Sequence, residues 1–495
     1  MSEFEKGLEV DLVRGLPGKS GGIVDAAWLD PAELTGPDWR YRGPDNTVSG
    51  VLLGYRNGRG VGTLDNRHML TVVGSRGGKG VSLIIPNLLM YDGSVIAIDP
   101  KGELAAITAH ARRKKGQKVV ILDPFHVSGV EGLGRFNPLD ELDPDSENLK
   151  DDVALIADAL IIGSERDTHF TDTARIMVEA LILFTLQLPI SDRTLTTVYR
   201  LLAGSHPLII DIGIRTKGEI TGRAALFKLM QACTEPFDGT VAGHGNNFTQ
   251  MADRELAGVF STALTQLKFL DSGAMSAVLT SGNLKLSELK TGRATLYLCL
   301  PAMRMATHAR WLRVIINLAL VALERTKARL DVPVLTVLDE FPVLGHMQSI
   351  EKAAGLMAGF GVKLWIIIQD LSQIKALYSK SWETFVGNAG VLMFWSNADA
   401  TTLAFVSDKL GQTGVRLEQS NDTTMQQRLS GASGRREELR VQKLAAPHEL
   451  EKILDRRKRR ALIIATGQSP VILQRILYYE DAAFAGMFGV WTGTP

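Results

Sequence analysis

The sequence of 495 residues is poor in cysteine, has almost no net charge and contains no long apolar run. Its two cysteines, Cys233 and Cys299, lie far apart in apolar surroundings, which is typical of small core residues in a reducing compartment. The 55 lysines and arginines nearly balance the 54 aspartates and glutamates, so any nucleic-acid contact must be local. No apolar run reaches the about 18 residues that span a bilayer, and the polar N-terminus lacks a signal-peptide pattern. We therefore expect a soluble protein.

What the sequence does have is apolar residues, which make up 45% of the chain, enough for large cores. This content excludes global disorder, and the length allows two to four domains at about 150 residues each. His169, His206 and His244 have no second ligand-type residue at metal-binding spacing, so we expect surface or hydrogen-bonded histidines there.

One stretch, residues 70–82, has the pattern of a strand, a phosphate-binding loop and a helix N-terminus. Backbone N–H groups of such a loop surround phosphate oxygens, and Lys79 can neutralise the β- and γ-phosphates. Val73 stands where strict spacing wants a glycine, and Gly80 stands where Ser or Thr would hold Mg²⁺; Ser82 lies about 200° further round a helix and is a poor substitute. The alternative is an ordinary strand–turn–helix junction. The candidate nucleotide-binding residues are Gly74, Ser75, Arg76, Gly77, Gly78, Lys79, Gly80 and Val81.

Alternating strand and helix patterns surround this loop. Strands are expected at 69–73, 94–98 and 118–122, and helices at 79–90 and 103–114, which together favour a parallel sheet with helices on both faces. An Asn57-Gly58 step after an apolar run predicts a hairpin. Asp99 and Asp123 each follow a strand; both can lie at the ligand-binding edge of the sheet or simply turn the chain.

The middle of the chain, 140–285, has helical periodicity and few strand candidates, with helices expected at 149–160, 173–188, 194–202, 222–233 and 253–269. The strand pattern resumes at 294–300, and a strongly apolar helix is expected at 311–325. Strands at 391–394, 461–465 and 470–476 complete the pattern, and the polar stretch 417–437 is expected to be a mobile loop.

Two later strands end in polar side chains. A buried strand at 333–338 ends in Asp339, which can hold Mg²⁺, and Glu340, which can polarise the attacking water; strand-end carboxylates also cap helices. The strand at 362–368 ends in Gln369, which could sense a γ-phosphate through hydrogen bonds.

A basic run precedes the final strands and consists of Arg456, Arg457, Lys458, Arg459 and Arg460. It is either a solvated face or a patch for the phosphate backbone of DNA.

Taken together, these segments resemble the coupling ATPases of conjugation and type IV secretion systems. The resemblance runs from about 45 to 480 and includes the helical insertion. It is carried by Gly74-Ser-Arg-Gly-Gly-Lys79-Gly-Val, Ile85-Pro-Asn-Leu-Leu89, Asp99-Pro-Lys-Gly-Glu103, Phe136-Asn-Pro-Leu139, Leu338-Asp-Glu-Phe341 with Leu344-Gly345, and Gln369 with Gln373, Tyr378 and Asn388. In that family the lysine is likewise followed by glycine, as at Gly80, whereas Val73 departs from the pattern.

The resemblance implies an α/β fold: a RecA-like P-loop nucleotide domain with a mainly parallel sheet, interrupted by an all-helical insertion domain. The implied divisions are an N-terminal arm (1–45), the nucleotide domain in two parts (46–140 and 289–480), the insertion (141–288) and a tail (481–495). It also implies a homohexamer that is cytoplasmic or attached peripherally to the inner membrane through partners, in a form without N-terminal membrane helices.

The resemblance further implies ATP hydrolysis with Mg²⁺, coupled to delivery of a relaxase–DNA complex or effector proteins to a secretion channel. Lys79 would contact phosphate, Asp339 would organise the metal, Glu340 would be the base and Gln369 the sensor. The alternative is a nucleotide-gated recruitment scaffold with little turnover. An intact Asp339-Glu340 pair favours hydrolysis, and Val73 favours the scaffold.

Overall fold

The structure is a computed structural model that describes residues 26–163, 168–420 and 435–491, without the side chains of 415–420 and 435–439. Its strands, in chain order, are β1 Val51–Arg56, β2 Arg59–Thr63, β3 His68–Val73, β4 Val95–Asp99, β5 Lys118–Leu122, β6 Ala294–Cys299, β7 Val334–Leu338, β8 Val362–Ile368, β9 Ala389–Trp395, β10 Gln412–Ser420, β11 Arg435–Lys443, β12 Arg460–Ala465 and β13 Val471–Gln474.

Helices alternate with the strands and fill the middle of the chain. They are α1 Ile85–Met90, α2 Glu103–Lys114, α3 Leu149–Leu160, α4 Thr168–Thr185, α5 Leu195–Leu202, α6 Pro207–Arg215, α7 Gly222–Gln231, α8 Thr240–Gln250, α9 Asp253–Leu267, α10 Gly273–Val278, α11 Glu288–Thr291, α12 Ala302–Arg325, α13 Gln348–Leu356, α14 Leu371–Tyr378, α15 Trp382–Gly387, α16 Ala400–Leu410 and α17 Pro447–Ile453.

The chain divides into two compact units. Unit 1 comprises Met1–Gly93, Asp331–Pro342 and Ala354–Phe488, and unit 2 comprises Ser94–Leu330, Val343–Ala353 and Gly489–Pro495. The division into arm, nucleotide domain, helical insertion and tail made from the sequence stays a prediction.

Unit 1 is built on a sheet with the strand order β2-β1-β13-β12-β9-β3-β8-β7. Its central pairs β9–β3, β3–β8 and β8–β7 are parallel, whereas β12 and β13 add antiparallel neighbours. Strands β3, β7, β8 and β9 are buried along their whole length, as expected where a parallel sheet is covered on both faces. The α/β class and the mainly parallel central sheet are confirmed.

The predicted hairpin is also observed, because β1 and β2 pair antiparallel around Asn57 and Gly58, both of which have positive φ. The N-terminal arm, as far as it is described, packs on unit 1 with Trp28 and Trp39 buried, and Leu29 N–H donates to Pro470 O (2.9 Å).

Two predictions for unit 1 are wrong in part. The helix expected at 79–90 begins with a π-helical turn, Gly80–Ile84, in which Ile85 N–H donates to Gly80 O. Pro86 has no N–H for the normal helical ladder, and a wider turn accommodates that missing donor. The mobile loop expected at 417–437 is strand at both ends, because β10 and β11 pair with each other over nine residues, and residues 421–434 lie outside the described part of the chain.

Unit 2 contains the parallel strands β4-β6-β5 and the helices α2 to α12. Asp99 and Asp123 both serve local structure here. Asp99 Oδ2 accepts the N–H of Ala105 in the first turn of α2 (2.9 Å), and Asp123 accepts the N–H groups of Val127 (3.0 Å) and Ser128 (2.8 Å) in a turn.

The helical stretch of unit 2 contains three short helices that the periodicity did not predict: α6, α8 and α10. Glycines inside α8 weaken the sequence signal, yet Gly245 has a packing role, because a Cβ there would lie 3.0 Å from Cβ of Met230 on α7. Helix α12 also begins nine residues before the predicted 311. Among the described residues it is the helix with the length and mean hydropathy (1.2) to cross a membrane, and 72% of that segment is buried inside the protein.

Candidate functional site

The site is assembled at the carboxyl ends of three neighbouring strands of unit 1. The loop with Lys79 follows β3, Asp339 and Glu340 follow β7, and Gln369 follows β8, which pairs with both β3 and β7. Parallel strands present their carboxyl ends at one edge of the sheet, where ligands bind in such folds. The three strand ends that carry Lys79, the Asp339–Glu340 pair and Gln369 are therefore adjacent.

The glycine-rich loop is a tight turn held by backbone hydrogen bonds. Gly74 N–H donates to Trp395 O (3.2 Å) and Gly77 N–H to Gly74 O (2.9 Å), while Arg76 and Gly78 have positive φ values of 56° and 75°. A Cβ on Gly74 would overlap the carbonyl oxygen of Ser396 and lie 2.7 Å from its carbonyl carbon. The close approach of backbone thus occurs at Gly74, one residue after the position that strict spacing assigns to glycine.

Val73, the departure from the expected pattern, is the last residue of β3 and is buried. It packs beneath the loop, because a Cβ on Gly77 would come within 2.5 Å of its Cγ2. A valine there is therefore compatible with the turn.

Lys79 lies between the two acids. Its Nζ is 2.7 Å from Asp339 Oδ1 and also forms an ion pair with Glu340 Oε1. Burial opposes the charged ammonium, but the two carboxylates outweigh it and raise the pKa of Lys79. Burial raises the pKa of Asp339, against the pull of Lys79 in the other direction. The lysine thus holds its positive charge at neutral pH.

Glu340 is held in an uncommon backbone conformation, with φ at 56°, and its N–H donates to Asp339 Oδ1 (3.1 Å). Non-glycine residues in this region are strained and occur at functional sites. The next residue, Phe341, is fully buried and stacks on Tyr378 with ring centroids 5.9 Å apart. This packing fixes the strand end that carries the carboxylate.

Gln369 completes the set through Nε2, which donates to Glu340 Oε2 (3.3 Å). Its own backbone is fixed, because its N–H donates to Gln373 Oε1 (2.9 Å) and its carbonyl accepts from Asn397 Nδ2 (3.4 Å). Asp370 caps α14 through the N–H of Gln373 (3.1 Å). The Gln369 amide is therefore held in place and hydrogen-bonds the Glu340 carboxylate.

A metal would depend on few protein ligands here. In the described part of the chain, no group of three or more His, Cys, Asp or Glu side chains is placed to hold an ion. Mg²⁺ is commonly bound by one or two carboxylates together with substrate phosphates, and Asp339 fits that requirement. Ser82 is buried, and its Oγ has no hydrogen-bond partner among the described residues.

Sequence reasoning missed three residues at this site, two of which contact the loop. Trp395, the last residue of β9, donates from Nε1 to Gly77 O (2.8 Å), and Arg475, just after β13, donates to the same oxygen through Nη1. Asn397 is buried, and its Oδ1 has no hydrogen-bond partner among the described residues. Asn397 could have been predicted from the sequence, because it follows a strand at the same sheet edge. Arg475 could not, because it follows an antiparallel strand.

The predicted basic run is only partly a surface. Arg456, Arg457, Lys458 and Arg459 are exposed and form what we call the basic turn, but Arg460 is buried, so its inclusion in a DNA-contacting patch is wrong. Arg460 is the first residue of β12 and is only 5% exposed.

Acids partly neutralise the basic turn. Arg457 Nε lies 2.9 Å from Asp455 Oδ1, which lowers the pKa of Asp455 to about 2, and Arg459 pairs with Glu480 (2.8 Å). Two of the four cations of the turn therefore have an acidic partner.

Comparison with known proteins identifies the family of this chain. The sequence profile of the family described as "Type IV secretory system Conjugative DNA transfer" matches residues 30–490. The conjugal transfer protein TraG of Agrobacterium fabrum is 25% identical over 430 residues, covering 85% of this chain and 61% of TraG. The type IV secretion system-coupling protein VirD4 of Bartonella quintana is 26% identical over 432 residues, covering 83% of this chain and 63% of VirD4.

Solved structures share the fold. The bacterial conjugative coupling protein TrwBdeltaN70, in its unbound form, superposes with a TM-score of 0.64 at 13% identity, covering 93% of this chain and 96% of that one. The plasmid coupling protein TrwB in complex with ADP and Mg²⁺ gives 0.63 at 13% identity, with the same coverage of both chains.

The chain spans about three fifths of the length of these TraG and VirD4 relatives. Because the family profile matches nearly the whole sequence, this chain belongs to the type IV secretory system conjugative DNA transfer family of coupling proteins.

Proposed function

We propose that this chain is an ATPase that recruits DNA, as a relaxase–DNA complex, or protein substrates and drives them to a type IV secretion or conjugation channel, acting as a homohexamer. The observation that carries the proposal is the cluster of one ammonium, two carboxylates and one amide at a single sheet edge: Lys79, Asp339, Glu340 and Gln369. The conjugal transfer and coupling roles in the relatives' names support the DNA and secretion parts.

The chemistry follows from the contacts of these groups. Lys79 can exchange its carboxylate partners for phosphate oxygens, to which the loop N–H groups also donate. Bound Mg²⁺, held by Asp339, would neutralise charge on the β- and γ-phosphates. When Lys79 turns to phosphate, the Glu340 carboxylate loses its cation and can accept a proton from the attacking water. Gln369 donates a hydrogen bond to the Glu340 carboxylate, which orients the carboxylate, and Gln369 can also sense the γ-phosphate.

Hydrolysis is tested with Glu340→Gln and Lys79→Ala, measured by phosphate release and by binding of a fluorescent ATP analogue with Mg²⁺. We expect Glu340→Gln to bind the analogue and to lose about 10²- to 10⁴-fold in kcat, the range for a general base. Lys79→Ala should lose binding. The exposed residues Glu383 and Lys380 provide the controls Glu383→Gln and Lys380→Ala, which should behave as wild type.

The second candidate, a nucleotide-gated scaffold, predicts that wild type binds the analogue but releases phosphate no faster than Glu340→Gln. Undiminished hydrolysis in both site variants would remove the proposed site. A molecular mass equal to that of a hexamer, together with stimulation of ATP hydrolysis by single-stranded DNA, would support the motor.

The basic turn is a proposed contact for the DNA backbone. Arg457→Glu with Arg459→Glu should weaken DNA binding at about 50 mM salt and have less effect at about 200 mM, because counterion release carries such contacts. Equal binding by wild type and variant at both salt concentrations would assign the turn to a solvated face.

A further inference from the structure

Arg475 is a half-buried arginine that the proposed hydrolytic chemistry does not use. We propose that Arg475 is a positioning residue that holds the phosphate-binding loop in its anion-binding conformation and joins it to the basic turn. The inference rests on the proposed nucleotide site and concerns how that site is kept in shape. It is carried by the contacts of one guanidinium with two backbone segments far apart in the sequence.

The contacts form a bridge. Arg475 Nη1 donates to Gly77 O in the loop, and Nη2 donates to Arg456 O in the basic turn (2.7 Å). The backbone N–H of Arg475 donates to Arg459 O (2.7 Å), which fixes the base of the side chain. The guanidinium also lies over the ring of Trp395, with its carbon 5.9 Å from the ring centroid. The side-chain donors Arg475 Nη1 and Trp395 Nε1 thus act on the same carbonyl of the loop, that of Gly77.

The orientation of the Gly77 carbonyl sets the direction of the Gly78 N–H, which is the group that the loop would donate to a phosphate. The peptide between Gly77 and Gly78 is a rigid trans plane, so its C=O and N–H point in opposite directions. Holding the Gly77 oxygen from Arg475 and Trp395 therefore turns the Gly78 N–H away from them. Two adjacent glycines permit this peptide to rotate easily, and Gly78 is already at a φ of 75°. The bridge suppresses that rotation before a ligand arrives.

The chemistry of arginine suits this role. Its planar fork donates along two directions at once, whereas the ammonium of lysine is a compact donor on a flexible stem. Burial lowers the pKa of Arg475 to about 10, which still leaves the side chain charged at neutral pH. Charge-assisted hydrogen bonds to two carbonyls are stronger than neutral ones.

The experiment compares the full-length protein with Arg475→Met and Arg475→Lys. Arg56→Met is the matched control, because Arg56 is a half-buried arginine of the same unit that donates to Ile472 O of β13 (3.1 Å). Hydrogen exchange of residues 72–80 and 455–460 is measured without added nucleotide, and binding is measured with a fluorescent ATP analogue and Mg²⁺.

We expect Arg475→Met to speed exchange in both segments and to raise Kd for the analogue about tenfold, which corresponds to about 1.4 kcal/mol. KM should rise far more than kcat falls, because the hydrolytic groups are untouched. Arg475→Lys should recover only part of the affinity, and Arg56→Met should leave loop exchange and Kd at wild-type values.

Unchanged exchange at 72–80 or an unchanged Kd in Arg475→Met would overturn the inference, as would full affinity in Arg475→Lys or an equal loss in Arg56→Met. If the wild-type protein binds no nucleotide, the proposed function fails by itself. The hydrogen-exchange measurement, which needs no nucleotide, then still tests whether Arg475 holds the loop and the basic turn.

Discussion

Replacing Gly74 with alanine tests the loop geometry most directly. The added Cβ would overlap Ser396 O and lie 2.7 Å from its carbonyl carbon and 3.4 Å from Asn397 N. All three are backbone atoms, so no side-chain rotation relieves the overlap. Ser396 is itself restrained, because its N–H donates to Leu454 O (2.9 Å). The two segments must therefore separate by about an ångström or more to regain normal contact.

We expect Gly74→Ala to lower the free energy of unfolding by about 2 kcal/mol, within the usual cost of overpacking a core. The φ of Gly74 lies outside the left-handed region, so the effect is steric rather than conformational. Because the loop moves, affinity for the ATP analogue should fall as well. Urea unfolding and analogue binding measure the two effects.

Gly387→Ala is the control, since Gly387 ends a helix of the same unit and nothing lies within 4 Å of an added Cβ. It should be neutral or stabilising by up to about 1 kcal/mol. A Gly74→Ala protein within about 0.5 kcal/mol of wild type, the range of a surface substitution, would refute the close backbone approach.

Three further predictions concern side chains near the site. Asn87→Leu should cost about 3 kcal/mol in urea unfolding, because the buried N–H and C=O of Leu52 lose their partners Oδ1 (2.8 Å) and Nδ2 (2.9 Å). Trp395→Phe should raise Kd for the ATP analogue about fivefold, since a typical hydrogen bond of about 1 kcal/mol, here to Gly77 O, is lost. Burial lowers the pKa of Lys363 to about 8, so unfolding free energy of wild type relative to Lys363→Met should rise by at most about 3 kcal/mol as pH increases from 8 towards 10.5.

The sign for Lys363 follows from proton binding. Above the folded pKa of about 8, the folded protein has released a proton that the unfolded chain still holds up to 10.5, so higher pH favours folding. A difference in unfolding free energy between wild type and Lys363→Met that does not change with pH would contradict this.

For the tryptophan prediction, Trp365→Phe is the control, because its Nε1 donates to Thr71 Oγ1 (2.9 Å) within the sheet. Equal Kd changes in both tryptophan variants would count against the loop contact. Wild-type stability of Asn87→Leu would contradict the proposed contribution of the Asn87 hydrogen bonds to Leu52 of β1.

Local sequence was enough to predict most strands of the parallel sheet. Residues 118–122 and 362–368 were bounded as observed, because continuous apolar runs ended by glycine or polar residues have few alternatives to a buried strand. The strand-end positions of Asp339, Glu340 and Gln369 followed from the same patterns. Helices were harder where glycine interrupts them, as in α8, since close helix packing there outweighs intrinsic propensity.

The sequence alone determined the α/β class, the loop with Lys79 and the polar ends of the strands, because each depends on residues adjacent in the chain. Tertiary structure decided what supports the loop. Arg475 reaches Gly77 across 398 positions, and only the antiparallel addition of β12 and β13 to the sheet brings it there. It also decided that Arg460 is covered while its basic neighbours stay exposed. The physical reason is that a hydrogen bond to backbone depends on proximity and direction in space, and neither leaves a periodic trace in the order of residues.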